Sequence, residues 1–246
     1  MDDKPDLISY DVSLISTHLG QAVALYWASC TNGACSLPPW SWVLSRRNAL
    51  SSIIHSYCTL ESAISSISRG LFFDAKSDCY LSPESRDIPL KHMINSWKRS
   101  VSLADKFNVL LPLLDFDPLS VRLTNELGEL AQLRHWILHG FEFYTTVLFQ
   151  EVDGNNFIEV DREDSVEWQK KFPNTKFNRL DKLDCADAQT ALKITLECLR
   201  ILAKARNSSY LFTFYSNKAK IYMITATGEQ IPEILNMMKL EAGPTN

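Results

Sequence analysis

The sequence predicts a mainly α-helical protein, an up-and-down helical bundle with one or two added β-hairpins. Three observations carry that expectation. Apolar residues recur at spacings of three and four along 44–69, 119–138 and 186–206, the period of helices with one buried face. Only 8 of the 246 residues are glycine and 46% are hydrophobic, enough to build one large core or one core with an elaboration. Runs of β-branched and aromatic residues near 143–160 and 210–227 then depart from the helical period.

The elements follow in order. Ser9 to Ser29 reads as a first helix with Leu14, Ile15, Leu19, Ala22, Val23 and Tyr26 as its stripe, ended by Thr31-Asn32-Gly33. Leu37-Pro38-Pro39-Trp40 is a stiff connector. Leu44 to Arg69 carries Leu50, Ile53, Ile54, Tyr57, Leu60, Ile64 and Ile67 on one face, and Gly70 is placed to cap its end. After a polar loop at 76–85, Asp87 with Pro89 in the first turn starts a helix expected to run to about Phe107. Asp117-Pro118 is a cap-then-proline start for the next helix, whose stripe is Leu119, Leu123, Leu127, Leu130, Leu133 and Ile137.

Beyond it, Tyr144 to Phe149 and Phe157 to Val160 flank Asp153-Gly154-Asn155-Asn156 and read as a hairpin. Residues 161–182 form a polar loop of mixed charge. Asp184 starts a last long helix from Ala186 to about Arg206. A second hairpin turns about Asn217-Lys218, and a short helix covers 231–240. The resulting division is an N-terminal helical extension at 1–43, a bundle at 44–206 carrying the hairpin, and an elaboration at 207–246.

Net charge is −4. A broad electrostatic nucleic-acid binder is usually basic, so any nucleic acid must be gripped locally. Local basic clusters exist at Arg46-Arg47, Lys98-Arg99, Lys170-Lys171 and Lys176 with Arg179 and Lys182, each also readable as a solvated face. The acidic start Met1-Asp2-Asp3 is unlike a signal peptide. No apolar run is long enough for a transmembrane helix, since Asp11, His18 and Gln21 break the best one. The six cysteines are scattered and read as reduced thiols of a cytoplasmic protein, with no expected metal or cofactor. Cys30 and Cys35 are close enough in sequence to pair or share a metal, but no Cys-x-x-Cys accompanies them.

The densest chemistry lies in Arg134-His135-Trp136-Ile137-Leu138-His139-Gly140, at the end of an amphipathic stretch. Histidine moves a proton near neutral pH, and arginine clamps a phosphate through two parallel hydrogen bonds. Together they are what metal-free RNA cleavage needs. The spacing alone is not distinctive, because Arg86 to His92 also fits it. Pro89 keeps that second match from being one helix. Residues five apart on an ideal helix lie about 140° apart, so Arg134 and His139 do not meet within one straight helix. Two copies about a two-fold axis would bring both sets to one groove. There the ribose 2′-hydroxyl attacks the neighbouring phosphorus, His139 moves a proton, Arg134 holds phosphate charge, and His135 assists.

Competing readings use the same residues. Arg134 can pair with Glu126, Glu129 or Glu142, and a helix-end histidine can cap carbonyls. His135 and His139 at four apart also resemble the helical His-Glu-x-x-His metal pattern. However, Trp136 stands where that pattern has glutamate, and no third ligand is evident.

The arrangement resembles the HEPN superfamily, helical bundles whose signature is Arg, four to six residues, then His, often with Asn, Asp or His directly after the Arg. Arg134, His135 and His139-Gly140 match in that order, and Tyr57-Cys58-Thr59-Leu60-Glu61 lies on a helix like the family's first long one. The resemblance covers roughly 44–206. It implies a homodimeric, metal-independent endoribonuclease acting on RNA such as tRNA in RNA metabolism, stress or phage defence. Arg134 and His139 would be catalytic, His135 auxiliary, and a regulatory or antitoxin protein a partner. It equally implies an alternative, since many members are non-catalytic dimers that bind a partner protein or nucleotide. In one toxin branch a His-x-Tyr tyrosine is modified by a partner enzyme. This chain has Phe141 there and departs from that form of control.

Overall fold

A computed structural model describes residues 14–31, 41–76, 80–85, 87–97, 102–139, 145–152, 157–164, 175–178, 183–206, 212–215 and 221–224. The expected features at 1–13, 32–40, 165–174, 179–182 and 231–240, and the turns about Asp153-Gly154 and Asn217-Lys218, lie outside these residues.

The protein is mainly helical. Among the described residues six helices follow one another: α1 (Leu14–Thr31), α2 (Ser41–Phe72), α3 (Ile88–Ser96), α4 (Leu103–Leu113), α5 (Val121–His139) and α6 (Cys185–Arg206). Helix α2 is the spine, and α1, α4, α5 and α6 all pack against it. The core joins Leu19, Val23 and Tyr26 of α1, Ile53, Leu60 and Ile64 of α2, Phe107 and Leu110 of α4, Leu123, Leu127, Leu130 and Leu133 of α5, and Leu192, Leu199 and Leu202 of α6. Helix α1 thus shares one core with the helices that follow it. Hydroxyls tie the seams: Ser52 Oγ donates to the Ala22 carbonyl at 2.7 Å, and Thr195 Oγ1 to the Ser56 carbonyl at 3.2 Å. Strands β1 (Thr145–Glu151) and β2 (Phe157–Asp164) pair antiparallel with a register shift at Leu148/Phe149. Strands β3 (Phe212–Tyr215) and β4 (Ile221–Ile224) pair antiparallel in unbroken register.

Helix α2 begins at Ser41, before the expected Leu44. Three further helix boundaries differ from the sequence reading, each for a physical reason. Gly70 does not end α2, which continues to Phe72. Leu71 and Phe72 are buried in the core, and their burial outweighs the cost of about 1 kcal/mol for a helical glycine. The helix expected from Asp87 to Phe107 is two. Asp87 caps α3, accepting from the Leu90 N–H at 2.7 Å, but Ser102 starts α4 afresh by accepting from the Asp105 N–H at 3.1 Å. Helix α5 is capped by Ser120, which accepts from the Leu123 N–H at 3.3 Å, not by Asp117. The stretch before it is held instead by α4, because the Leu119 N–H donates to Asn108 Oδ1 at 2.9 Å and Leu119 is buried.

Helix α4 ends with Asp115 in the left-handed region, φ 58°. The Phe116 N–H returns to the Leu111 carbonyl and the Asp115 N–H to the Pro112 carbonyl, a Schellman closure built on aspartate instead of glycine.

Inside α5, a methyl group at Gly128 would meet no atom within 4 Å. Gly128→Ala is therefore expected to raise unfolding stability by about 0.5–1 kcal/mol, since alanine loses less backbone entropy in a helix. Denaturant titration checks this, and a loss of stability would mean that the site is more crowded than it looks.

Candidate functional site

Arg134 and His135 stand near the end of α5, and His139 is its last residue. The helix is continuous through His139, so the backbone does not loosen to bring Arg134 and His139 together. On that regular backbone the two residues lie about 140° apart around the axis, while His135 and His139 lie nearly in line. His135 is exposed. Only the backbone of His139 is described, and Gly140 and Phe141 lie outside the described residues.

Arg134 faces α2. Its Cζ sits 5.3 Å from the centroid of the Tyr57 ring, within cation–π range. Its Nη2 is 4.0 Å from Glu61 Oε2, too long for a hydrogen bond, and its Nε is buried with no hydrogen-bond partner. Tyr57 and Glu61 are four apart and share the face of α2 turned to α5. Burial first, and then Glu61, pushes the Tyr57 phenol up to about 12 even though Arg134 pulls the other way. The Cys58 thiol is raised for the same two reasons.

The carboxylates that the sequence offered to Arg134 are used elsewhere. Glu126 binds Arg122 at 2.7 Å and also holds Lys176, and Glu129 accepts from Thr175 Oγ1 at 2.9 Å. Arg122 reaches on to Glu197 of α6 at 2.5 Å. Lys176 is therefore a structural tether rather than part of a free basic patch. Burial raises the Glu129 carboxyl above the usual carboxylate range, with the Thr175 hydrogen bond opposing. Glu142 lies outside the described residues. Glu126 and Glu129 are engaged by the 175–178 segment, and Arg134 turns instead to Tyr57 and Glu61 of α2. Its actual neighbour, Glu61, is distant in sequence and gave no local signal.

The decoy arginine, Arg86, lies outside the described residues, and His92 is exposed on α3. Arg47 is exposed and Arg46 half-buried, while the 98–99 and 170–171 clusters lie outside the described residues.

A histidine pair that sequence inspection passed over joins α1 to α2. His18 Nδ1 and His55 Nδ1 are 3.0 Å apart, with ring centroids 5.3 Å apart. One ring must donate and the other accept, so the contact requires an unprotonated acceptor. Burial, and secondarily His18, holds the His55 pKa below its ordinary 6.5. A depressed folded-state value means that the pair contributes its full stability above about pH 6.5 and loses it as pH falls through the lower folded value. Wild type is expected to lose more stability between about pH 7 and about pH 5 than His55→Gln does. Denaturant titrations at both pH values measure the difference, and equal losses would refute the assignment.

Among the described residues no group of three or more His, Cys, Asp or Glu is placed to hold a metal ion, and no helix is long and apolar enough to cross a membrane. Cys30, Cys58, Cys185 and Cys198 are free thiols, and Cys35 and Cys79 lie outside the described residues. In comparisons with known proteins, no family model, no curated protein and no solved structure matches this chain.

Proposed function

We propose that this protein is a metal-independent endoribonuclease of HEPN type, built on an up-and-down bundle and active as a homodimer. The observation that carries the reading is the state of Arg134. Arg122 on the same helix is hydrogen-bonded to two carboxylates, whereas Arg134 is held in place by stacking on Tyr57 and touches Glu61 only at 4.0 Å. A positioned guanidinium with donors to spare suits a phosphate that arrives from outside. Because α5 stays helical through His139, the reaction needs Arg134 of one copy and His139 of the other. The ribose 2′-hydroxyl then attacks phosphorus, His139 transfers the proton, Arg134 stabilises the phosphate oxygens, and His135 assists. The products carry 2′,3′-cyclic phosphate ends.

The test is cleavage of total tRNA and a mixed RNA pool in EDTA, followed by mixing two dead variants. In a site shared between copies, Arg134→Ala mixed with His139→Ala rebuilds one intact site per mixed dimer and regains activity. In a site contained within one copy, the mixture stays inactive.

A second reading is a non-catalytic dimer of the same type that binds a partner protein or nucleotide. The separation of Arg134 and His139 around α5 favours it. Wild type that never cleaves RNA in EDTA but binds a partner would select it.

A further inference from the structure

A group of side chains with no part in that site lies where α1 ends and α6 begins. Gln189 Nε2 of α6 donates to Tyr26 Oη of α1 at 3.1 Å. Cys30 lies four residues after Tyr26, and Cys185 four residues before Gln189. On two helices running in opposite directions, those two steps lead to the same place one turn away. The two thiols therefore lie side by side there, close enough for each to shift the other's ionisation, and the buried Tyr26 phenol is close enough to Cys30 to do the same. Both cysteines are free and only half-buried, so a small oxidant can reach them.

We propose that Cys30 and Cys185 form an oxidisable dithiol, a modification site at which hydrogen peroxide closes a disulfide between α1 and α6. The electrostatics agree with the geometry. The hydrogen bond from Cys185 is the main cause bringing the Cys30 thiol down to about 7, against burial and with help from Tyr26 and Ser29, while Asp184 opposes it. Cys185 is raised in consequence, as is Tyr26 by burial and its neighbouring thiol. The downward shift favours the thiolate, the form that reacts with peroxide.

The steps balance. The Cys30 thiolate attacks one peroxide oxygen, the O–O bond breaks, and the departing hydroxide takes a proton to become water. This leaves Cys30 as a sulfenic acid, oxidised by two electrons. The Cys185 sulfur attacks the sulfenic sulfur, an S–S bond forms, the S–O bond breaks, and the oxygen leaves as a second water with the Cys185 proton. Overall two thiols lose two protons and two electrons, which convert one peroxide to two waters. Because the bond links the first described helix to the last, it closes a long loop and is expected to stabilise the fold against unfolding.

The experiment treats the full wild-type chain with hydrogen peroxide at neutral pH, blocks remaining thiols with N-ethylmaleimide, and maps peptides without reduction. The expected result is a Cys30–Cys185 linked peptide lighter by two hydrogens, with a melting temperature that rises on oxidation and returns with dithiothreitol. In Cys185→Ser, Cys30 is expected to persist as a sulfenic acid trapped by dimedone, while Cys58→Ser behaves like wild type. A Cys30–Cys35 bond, any other pairing, or both thiols still alkylated after excess peroxide overturns the proposal. Mapping on unaltered protein keeps the test decisive even if a variant fails to fold.

Discussion

Arg134→Ala is expected to lower metal-free RNA cleavage by about 10²–10³-fold, the usual loss when one preorganised donor to a developing anion is removed. His139→Ala is expected to cost about 10²–10⁴-fold through loss of proton transfer. The fold should survive both. Arg134 is only 29% exposed and stacks on Tyr57, so Arg134→Ala also loses some packing, whereas its long contact to the 44%-exposed Glu61 contributes little. Arg122→Ala is the matched control. It breaks one ion pair within α5 and one from α5 to α6, and should reduce stability while leaving cleavage of the folded protein unchanged. Rates measured in EDTA at saturating RNA, with circular dichroism on each variant, separate these outcomes. If Arg134→Ala and His139→Ala both cleave like wild type, the assigned site is wrong.

The second large effect concerns the fold beneath the site. Asp187 is 1% exposed and accepts three hydrogen bonds, from the Asp184 N–H at 2.9 Å, the Asn178 N–H at 2.7 Å and Asn178 Nδ2 at 3.1 Å. It therefore closes the start of α6 and fastens the 175–178 segment, whose Thr175 and Lys176 grip Glu129 and Glu126 of α5. Asp187→Ala leaves those three donors unpaired and is expected to cost about 2–4 kcal/mol of unfolding stability. Asp187→Asn keeps one acceptor oxygen and should cost less. Burial raises the Asp187 carboxyl above its ordinary 3.8, with the Asn178 and Asp184 hydrogen bonds opposing. A raised folded value means that ionisation is resisted, so wild type gives up part of its stability as pH climbs from the ordinary value through the raised one. Asp187→Asn should remove that slope. A denaturant midpoint for Asp187→Ala equal to wild type would show that water replaces the carboxylate at no cost.

Local sequence determined the helical character of the chain and much of its inner face. The stripe Leu123, Leu127, Leu130 and Leu133 is buried as its spacing required, as are Ile53, Leu60, Ile64 and Ile67, because a period of 3.6 leaves one face for the core. Asp87 was legible as a cap because capping is a contact between residues three apart. What was not legible depended on contacts between residues far apart in the chain. Burial of Leu71 and Phe72 carried α2 past Gly70, and Asn108 took the strand of chain that seemed to belong to the Asp117 start. The pairing of His18 with His55, of Cys30 with Cys185, and of Arg134 with Tyr57 and Glu61 lies across helix seams. Sequence named Arg134, His135 and His139 as a unit because they sit within six residues. The tertiary structure alone decided that Arg134 turns to α2 with its acidic helix neighbours already committed, because which carboxylate meets which cation is set by helix packing and not by distance along the chain.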